Sequence, residues 1–318
     1  MTRRRDSSDQ RLDDAARAGW LYYVAGNTQE DIATKLGVSR QTAQRLVSLA
    51  VTEGLIRVRL EHPIAETMDL ADRLTDRFGL SRVEVVPSDP ASLSTTLGIA
   101  EAVAVEIERR LRSVEPIVMA MGKGRTLKAA ADLLPRMDCQ QHKVVSLTGN
   151  IGPDGSAAYY NVIFSMADAI NARHFPFSLP VFASTVAERE LLHGPSLIQD
   201  ALALAARADV SFVGIGEFGP AAPLAMDGFL TSVELEALRV AGAVGEIVGW
   251  VFNAEGQLIE GLTNERVASA PIPSRDTCLV IGAAMGVRKL PAIRGALHSQ
   301  LINGLITDES TASALLSG

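Results

Sequence analysis

Apolar residues recur every three to four positions between residues 28 and 47, and this spacing predicts two short helices. Gly37 separates the two helices, and glycine is favoured where a turn requires a positive φ angle. The positions expected to face inward are Ile32, Ala33, Leu36, Val38, Ala43, Leu46 and Val47. Two short helices joined by a glycine-containing turn are typical of a helix-turn-helix.

The second of these helices has a polar outer face made of Arg40, Gln41, Thr42, Gln44 and Arg45. No Asp or Glu occurs from residue 40 to residue 50, although the whole chain is acidic. Side chains of these types hydrogen-bond base edges and phosphates in the DNA major groove. The alternative is an ordinary helical hairpin with a solvated face, and we favour DNA binding.

The segments on either side of the pair support this interpretation. An amphipathic stretch before it supplies a third helix, with the expected inward residues Leu12, Ala15, Ala16, Trp20, Tyr23 and Val24. After the pair, residues 55–60 alternate apolar and basic side chains and predict a strand that forms a wing. Ser39 is expected to cap the second helix. We expect the DNA backbone to be contacted by Thr28, Ser39 and Arg57.

The rest of the chain alternates short apolar segments with longer amphipathic ones. The predicted strands are residues 82–87, 117–121, 143–147, 209–215, 246–252, 277–281 and 301–306. The predicted helices are residues 92–112, 126–134, 159–172, 187–207, 231–241, 288–299 and 308–316. This alternation predicts an α/β fold with a mostly parallel, Rossmann-like sheet, whose ligands bind at the carboxyl ends of the strands.

These patterns divide the chain into three parts. Residues 1–60 form the winged helix-turn-helix domain, residues 61–80 form a linker, and residues 81–318 form the larger α/β domain. The linker contains an amphipathic helix at residues 65–78, and its apolar side could pack either on its own domain or on a second chain.

Charge is distributed unevenly between these parts. The chain has a net charge of −7, yet residues 1–60 contain ten Lys and Arg against seven Asp and Glu. The basic balance therefore coincides with the segment predicted to contact phosphates. The two cysteines, Cys139 and Cys278, favour reduced thiols in a cytoplasmic protein. We expect no signal peptide, since the N-terminus is polar, and no membrane span.

A candidate anion site follows the strand at residues 117–121. It consists of Gly122, Lys123, Gly124, Arg125 and Thr126 and leads into a helix, so that backbone N–H groups, a hydroxyl and two cations can surround a phosphate. It is not a Walker A loop, because Ile117 occupies the position of the first glycine. The alternative is a tight turn with exposed basic residues.

Other strand ends present polar residues to the same edge. Residues 214–219 match G-x-G-x-x-G, but Pro220 and Pro223 stand where a dinucleotide-binding helix would begin, so we interpret the segment as a loop that presents Glu217. Asn150 and Asp308 end two further strands, and a simple cap or turn is the alternative for each. Lys289 follows a glycine-bracketed loop, where a solvated lysine is the alternative.

Signatures of catalysis are absent from the sequence. The five histidines show no metal-ligand spacing, and neither a G-x-S-x-G elbow nor a Cys/His signature occurs. We therefore predict no catalytic residues, no metal and no cofactor.

Seven short segments, in order, carry a resemblance to a known family. They are residues 122–127, 147–152, 208–217, 228–231, 242–246, 289 with 292–293, and 303–308. With the helix-turn-helix, the chain resembles the SorC family of bacterial sugar-responsive transcriptional regulators over residues 12–316. The resemblance implies an effector domain similar to ribose-5-phosphate isomerase and glucosamine-phosphate deaminase that binds its ligand without catalysis.

The resemblance also implies a phosphorylated sugar or polyol as effector, operator DNA as partner, and a homo-oligomer, either a dimer or a tetramer. The loop at residues 122–126 would hold the phosphate, and Asn150, Glu217, Glu246 and Lys289 would line the sugar end. Lys123 stands where the family often has an aromatic or other residue, and Glu246 replaces a common Asp. Two alternatives remain: a sugar-phosphate isomerase or deaminase fused to a DNA-binding head, and a regulator that senses an unphosphorylated sugar.

Overall fold

The computed structural model describes residues 7–56, 64–92, 94, 96–157 and 160–317. The chain divides into two compact units, Met1–His62 and Pro63–Gly318, which are described separately below. Residues 57–63 lie outside the described residues, and with them Arg57 and most of the predicted wing strand.

The first unit contains three helices: α1 (Ser7–Tyr23), α2 (Gln29–Leu36) and α3 (Arg40–Thr52). Helix α2 begins at a capping box, in which the Thr28 hydroxyl accepts a hydrogen bond from the Asp31 N–H and the Asp31 carboxylate accepts one from the Thr28 N–H. Gly37 ends α2 with a φ angle of 67°. Ser39 caps α3 by accepting a hydrogen bond from the Thr42 N–H at 3.1 Å. The predicted turn and cap are confirmed.

The core of this unit is small and consists of alanines and branched residues. Its buried members are Ala15, Ala18, Ile32, Ala33, Ala43, Leu46, Val47 and Ala50. Gly19 lets α1 approach α3 closely, because a Cβ atom at this position would lie 2.7 Å from the Ala50 Cβ. The predicted inward face of α1 was partly wrong, since Trp20, Tyr23 and Val24 are exposed. Packing selects the small residues of α1 rather than the large ones, because the helices are too close for bulky side chains.

The second unit is built on a seven-stranded sheet whose neighbouring strands all pair in parallel. Its strands are β1 (Arg82–Val86), β2 (Val118–Met121), β3 (Lys143–Ile151), β4 (Arg173–Pro180), β5 (Val210–Gly214), β9 (Leu279–Ala283) and β10 (Gly304–Asp308). Their order across the sheet is β1-β10-β9-β5-β2-β3-β4. A separate antiparallel sheet contains β6 (Gly216–Glu217), β7 (Ala243–Ile247) and β8 (Trp250–Asn253). The predicted α/β class is confirmed.

Helices cover both faces of the parallel sheet. The helices of this unit are α4 (Ala65–Phe78), α5 (Ile99–Leu111), α6 (Arg125–Asp132), α7 (Val162–Ile170), α8 (Val186–His193), α9 (Ser196–Ala205), α10 (Pro223–Met226), α11 (Ser232–Val240), α12 (Leu290–His298) and α13 (Glu309–Ser317). Of these, α10 and α11 pack with β8 of the antiparallel sheet instead. Two short 3-10 helices span Leu262–Arg266 and Val287–Lys289.

Two apolar clusters occupy the two faces of the sheet, because successive strand residues alternate between them. In β2, Met119 and Met121 belong to the cluster that also contains residues of α5, α6 and α7, whereas Ala120 belongs to the other. Leu70 and Leu74 of α4 lie in that second cluster with residues of α9, α12 and α13. Helix α4 therefore packs on the second unit through this side.

Two predicted elements are each divided in the structure. Residues 246–252 form a hairpin of β7 and β8 instead of one strand, because Val248 and Gly249 turn the chain with φ angles of 48° and 93°. The long helix predicted at residues 187–207 is divided at Pro195 into α8 and α9. Strand β4 was not predicted.

Candidate functional site

The outer face of α3 is exposed. Arg40, Gln41, Thr42, Gln44 and Arg45 are all exposed, and the intervening Ala43 and Leu46 are buried. The Arg40 guanidinium lies 3.8 Å from the Glu30 carboxylate, and both side chains are at least 70 % exposed. An exposed pair of this kind contributes little to stability, so Arg40 can exchange Glu30 for a phosphate at small cost.

Thr28 and Ser39 stand at the N-termini of α2 and α3. Their hydroxyls are hydrogen-bonded, Thr28 Oγ1 to the Asp31 carboxylate at 2.7 Å and Ser39 Oγ with Thr42 Oγ1 at 2.8 Å. Both side chains are exposed. Both side chains therefore fix the start of their helices. Because they are also exposed, the capping role leaves a contact with the DNA backbone possible.

A cavity of about 250 Å³ lies at the carboxyl ends of β2, β5 and β9 in the second unit. This is the edge at which parallel α/β sheets bind ligands. Its lining includes Lys123, Gly124, Arg125, Thr126, Tyr160, Gly214, Ile215, Gly216, Met226, Asp227, Phe229, Glu246, Val248, Ala283 and Lys289. Six of the nine residues predicted for effector binding thus line one cavity.

The loop after β2 is held against β5 and leads directly into α6. The Gly122 N–H donates to the Phe212 carbonyl of β5 at 2.8 Å, and a Cβ at Gly122 would lie 3.2 Å from that oxygen. Gly124 has a φ of 130° and precedes α6 without a side-chain cap. Thr126 is buried in the first turn of α6, and Arg125 is exposed beside it. A short loop thus brings a hydroxyl, a guanidinium and a helix N-terminus to the same wall.

Two lysines and one glutamate form a charged cluster deeper in the cavity. The Lys123 Nζ lies 4.1 Å from the centroid of the Phe229 ring, a cation–π contact. The Lys289 Nζ donates to the Ile215 carbonyl at 2.8 Å. The Glu246 carboxylate accepts a hydrogen bond from the Gly249 N–H at 2.8 Å. Each charged group is therefore held by a neighbour that fixes its position.

Burial controls the protonation of this cluster. It raises the pKa of Glu246, although the Gly249 N–H and the charges of Lys123 and Lys289 act in the opposite direction. Burial also lowers the pKa of Lys123 and of Lys289, although nearby carboxylates oppose the shift for both. Holding charged groups in a cavity costs free energy, because burial disfavours the charged form. A ligand of complementary charge would offset this cost when it binds.

Three residues predicted for effector binding are not part of this lining. Gly122 and Asn150 line a small adjoining pocket, which shares Lys123 and Tyr160 with the main cavity. The Glu217 carboxylate, which is largely buried, lies 3.5 Å from the exposed Arg288 guanidinium. Its charge acts on Lys289 and favours the ammonium form, so its effect on the cavity is electrostatic.

The cavity also contains residues that were not assigned from the sequence, above all Phe229, Asp227 and Met226. They come from the segment between β6 and α11, and only the short motif at residues 228–231 marked it. Asp308, the other strand-end carboxylate, accepts hydrogen bonds from the Thr311 N–H and the Ser88 hydroxyl. Asp308 is therefore a helix cap, which is the simpler of the two interpretations given for it above.

A search of the described residues finds neither a group of His, Cys, Asp and Glu that could hold a metal nor a helix able to cross a membrane. An exposed helix-turn-helix face and a charged cavity at a parallel sheet edge together define a DNA-binding regulator with a ligand-binding domain.

Comparison with known proteins gives the family. Residues 62–317 match the family model for a sugar-binding domain, and residues 9–59 match a homeodomain-like domain. The chain is 34% identical to the erythritol catabolism regulatory protein EryD of Brucella abortus, over 95% of this chain and 96% of that one. It is 31% identical to the transcriptional regulator LsrR of Klebsiella pneumoniae, over 95% of this chain and 92% of the other.

A solved structure agrees over the whole length. The full-length sorbitol operon regulator SorC from Klebsiella pneumoniae superposes with a TM-score of 0.69 and 25% identity, covering 98% of this chain and 100% of that one. The chain belongs to the SorC family of sugar-responsive transcriptional regulators. The expected family and the function of a DNA-binding regulator of carbohydrate or polyol metabolism are confirmed. Operator DNA and a sugar effector follow as its partners.

Proposed function

We propose that the effector is a phosphorylated sugar or polyol and that its phosphate binds the loop of Gly122, Lys123, Gly124, Arg125 and Thr126. The observation that carries this proposal is the loop itself, where a helix N-terminus without a side-chain cap meets the Arg125 guanidinium and the buried Thr126 hydroxyl on one cavity wall. Backbone N–H groups at a helix N-terminus, supported by cations, are a general solution for binding phosphate.

The polyol end of the ligand would contact the charged cluster of Lys123, Glu246 and Lys289. Hydroxyl groups can donate to the Glu246 carboxylate and accept from the two ammonium groups, while the Phe229 ring supplies an apolar wall. Asn150 would reach the ligand from the adjoining pocket, and Glu217 would act through the charge of Lys289. The names of two relatives, an erythritol catabolism regulator and a sorbitol operon regulator, support a polyol as the core of the effector.

We propose that operator DNA is contacted by the exposed face of α3. Arg40, Gln41, Thr42, Gln44 and Arg45 would contact base edges and phosphates, and Thr28 and Ser39 would position the helices against the backbone. A homo-oligomer, a dimer or a tetramer, would place two such faces on one operator. Effector binding would favour one arrangement of the oligomer, and a coupling free energy of about 1–3 kcal/mol would change operator affinity roughly 5- to 150-fold.

We further propose that the cavity binds its ligand without turnover and that the protein acts in the cytoplasm, where its operator lies. The relatives compared are transcriptional regulators. Incubation of the purified chain with candidate sugar phosphates, followed by product analysis, tests the absence of turnover. A product that disappears in Glu246→Gln would overturn it.

A thermal-shift screen tests the effector class. Erythritol, sorbitol and other polyols and sugars would each be compared with their phosphate esters, with inorganic phosphate as a competitor. A ligand at about 100 times its Kd stabilises the native state by about 2.7 kcal/mol. We expect a shift only with phosphorylated compounds. A shift with a free sugar and none with any phosphate would contradict the phosphate loop and support the regulator of an unphosphorylated sugar.

A further inference from the structure

Glu246 and Gly216 are direct neighbours across the small antiparallel sheet. Gly216 of β6 pairs with Glu246 of β7, and both residues line the effector cavity. Residues directly opposite each other on antiparallel strands have Cβ atoms about 5 Å apart, so their side chains share one space on the same face of the sheet. Because Gly216 has no side chain, the whole of that space is open to Glu246.

The Glu246 side chain fills the space over Gly216. A Cβ atom built on Gly216 would overlap the Glu246 Oε1 atom and would lie 2.9 Å from both the Glu246 Cγ and Cδ atoms. All three of its nearest neighbours therefore belong to the Glu246 side chain. A side chain at position 216 would have to displace the carboxylate from its place in the cavity wall.

A backbone hydrogen bond fixes the other oxygen of this carboxylate. The Gly249 N–H, in the turn between β7 and β8, donates to the Glu246 Oε2 atom at 2.8 Å. A carboxylate has about four acceptor positions, and this bond uses one of them. The turn therefore holds one oxygen, while the oxygen over Gly216 can accept a hydrogen bond from a ligand in the cavity.

We propose that Gly216 is a positioning residue for effector selection, because its missing side chain lets the Glu246 carboxylate accept a hydrogen bond from a hydroxyl group of a polyol phosphate. This inference rests on the proposed function of the cavity. A carboxylate accepts from hydroxyl groups and repels a phosphate, so Glu246 recognises the polyol part of the ligand. Gly216 thus contributes to the preference for a polyol phosphate over inorganic phosphate.

The test compares full-length Gly216→Ala with the parent protein. D-erythritol 4-phosphate and D-sorbitol 6-phosphate are the polyol phosphates, and inorganic phosphate is the probe without a polyol. Titration calorimetry gives each Kd, and the ratio of the inorganic phosphate Kd to the polyol phosphate Kd is the selectivity. Using this ratio cancels changes in the overall charge of the cavity, since every probe carries a phosphate. We expect Gly216→Ala to lower the selectivity by about tenfold or more, as for the loss of one hydrogen bond to a charged group.

The thermal midpoint separates a positioning role from a structural one. Gly216→Ala displaces a flexible side chain and restricts the unfolded chain, so its midpoint should equal or exceed that of the parent. Gly245→Ala is the contrasting variant, because its Cβ would overlap the Ala292 Cβ on α12 and should lower the midpoint. Gly194→Ala, which lies outside the lining of the cavity, should leave the selectivity unchanged.

Glu246→Ala completes a double-variant cycle. It should lower the same selectivity, and adding Gly216→Ala to it should have no further effect, because no carboxylate is left to displace. If Glu246→Ala keeps the selectivity of the parent, or if the parent binds neither polyol phosphate, the proposed function of the cavity is wrong and this inference falls with it. If Glu246→Ala lowers the selectivity but Gly216→Ala does not, only the role of Gly216 is overturned. A fall in the thermal midpoint of Gly216→Ala, or an equal effect of this change in both backgrounds, would overturn it too.

Discussion

The proposed DNA-binding face of α3 and the proposed effector cavity differ in the physical means by which they would bind their partners. The face is exposed and comes from consecutive residues, whereas the cavity combines short segments spread between residues 123 and 289. Charges on the face remain hydrated, so they supply affinity that depends on salt. Charges in the cavity are partly desolvated, so that a few well-placed groups decide which ligand fits. On this proposal, one protein would use screened charges to bind DNA and buried charges to select a small molecule.

The largest effect is expected where the cavity would lose its phosphate contacts. Removing Arg125 and Thr126 together deletes a charged and a neutral hydrogen-bonding group, and we expect Arg125→Ala with Thr126→Ala to weaken effector binding by about a hundredfold or more. Operator binding should remain as in the parent. Titration calorimetry and gel shifts with and without effector measure both properties.

Lys128→Ala is the matched control for this double variant. Lys128 lies on the same helix, pairs with Asp132 at 2.6 Å and does not line the cavity. Its removal should leave effector affinity within about twofold, because Lys128 does not line the cavity and a partly exposed pair contributes little. If the double variant responds at the same effector concentration as the control does, the phosphate binds elsewhere.

The next effect concerns the DNA face. Arg45→Ala should weaken operator binding by about 1–3 kcal/mol and leave effector affinity unchanged, because Arg45 is exposed in the first unit. Arg73→Ala is the matched control, since Arg73 is an exposed arginine of the second unit. Gel shifts at several salt concentrations measure the affinity and its salt slope. Equal losses in the two variants would argue against α3 as the recognition helix.

A third prediction separates buried charge that serves stability from buried charge that serves binding. Glu106 of α5 is 2 % exposed and pairs with Arg82, Arg109 and Arg110 at 2.6–3.2 Å. Burial acts to raise the pKa of Glu106, but these hydrogen bonds and charges outweigh it and hold the pKa below its usual range. Unlike Glu246, Glu106 lines none of the cavities described above, and it forms direct ion pairs with three arginines.

We therefore expect Glu106→Gln to destabilise the second unit by about 2 kcal/mol. This loss is smaller than that for a fully buried ion pair, because the arginines are partly exposed. A carboxyl with a lowered pKa stabilises the fold above its unfolded pKa, and this contribution is lost as the pH falls through the folded value. Urea unfolding near neutral pH and at acidic pH measures it. The variant should differ from the parent at neutral pH and approach it in acid; a constant difference would contradict the assignment.

The first unit gives a fourth and smaller test, on the packing that presents the DNA face. Alanine favours a helix over glycine by about 1 kcal/mol, yet a Cβ at Gly19 would lie 2.7 Å from the Ala50 Cβ. Because that methyl group is fixed on α3, overpacking should win, and Gly19→Ala should destabilise the unit by about 1 kcal/mol net.

Adding Ala50→Gly should relieve this clash, so that the double variant is more stable than the sum of the single changes predicts. Unfolding followed by Trp20 fluorescence in a Trp250→Phe background reports on this unit. Simple additivity of the two changes would show that α1 and α3 adjust without strain.

The contrast between the helix-turn-helix and the cavity also explains which of their residues could be predicted from the sequence. In the helix-turn-helix, helical periodicity identified the buried Ala43, and turn and cap preferences identified Gly37 and Ser39, because all these contacts are local. It failed on Trp20, since only the distance between α1 and α3 selects Gly19 for the interface. In the cavity, the strand-end rule and the resemblance together found Lys123 and Lys289. Neither assigned Phe229 to the site, although the resemblance motif at residues 228–231 contains it, because a residue from a loop outside the parallel sheet has no periodic signal.

The smallest expected effect is the pH dependence of effector binding. Burial lowers the pKa of Lys123 and Lys289 in the free protein, and an anionic effector favours their ammonium forms. Binding must therefore take up protons once the pH exceeds the lowered lysine pKa, and affinity falls as the pH rises through it, by at most about tenfold per pH unit for each proton. Lys123→Met should make effector affinity depend less steeply on pH, so that only the dependence contributed by Lys289 remains. Calorimetry at alkaline pH in buffers of different ionisation enthalpy counts the protons, and an unchanged proton uptake in the variant would remove Lys123 from the binding site.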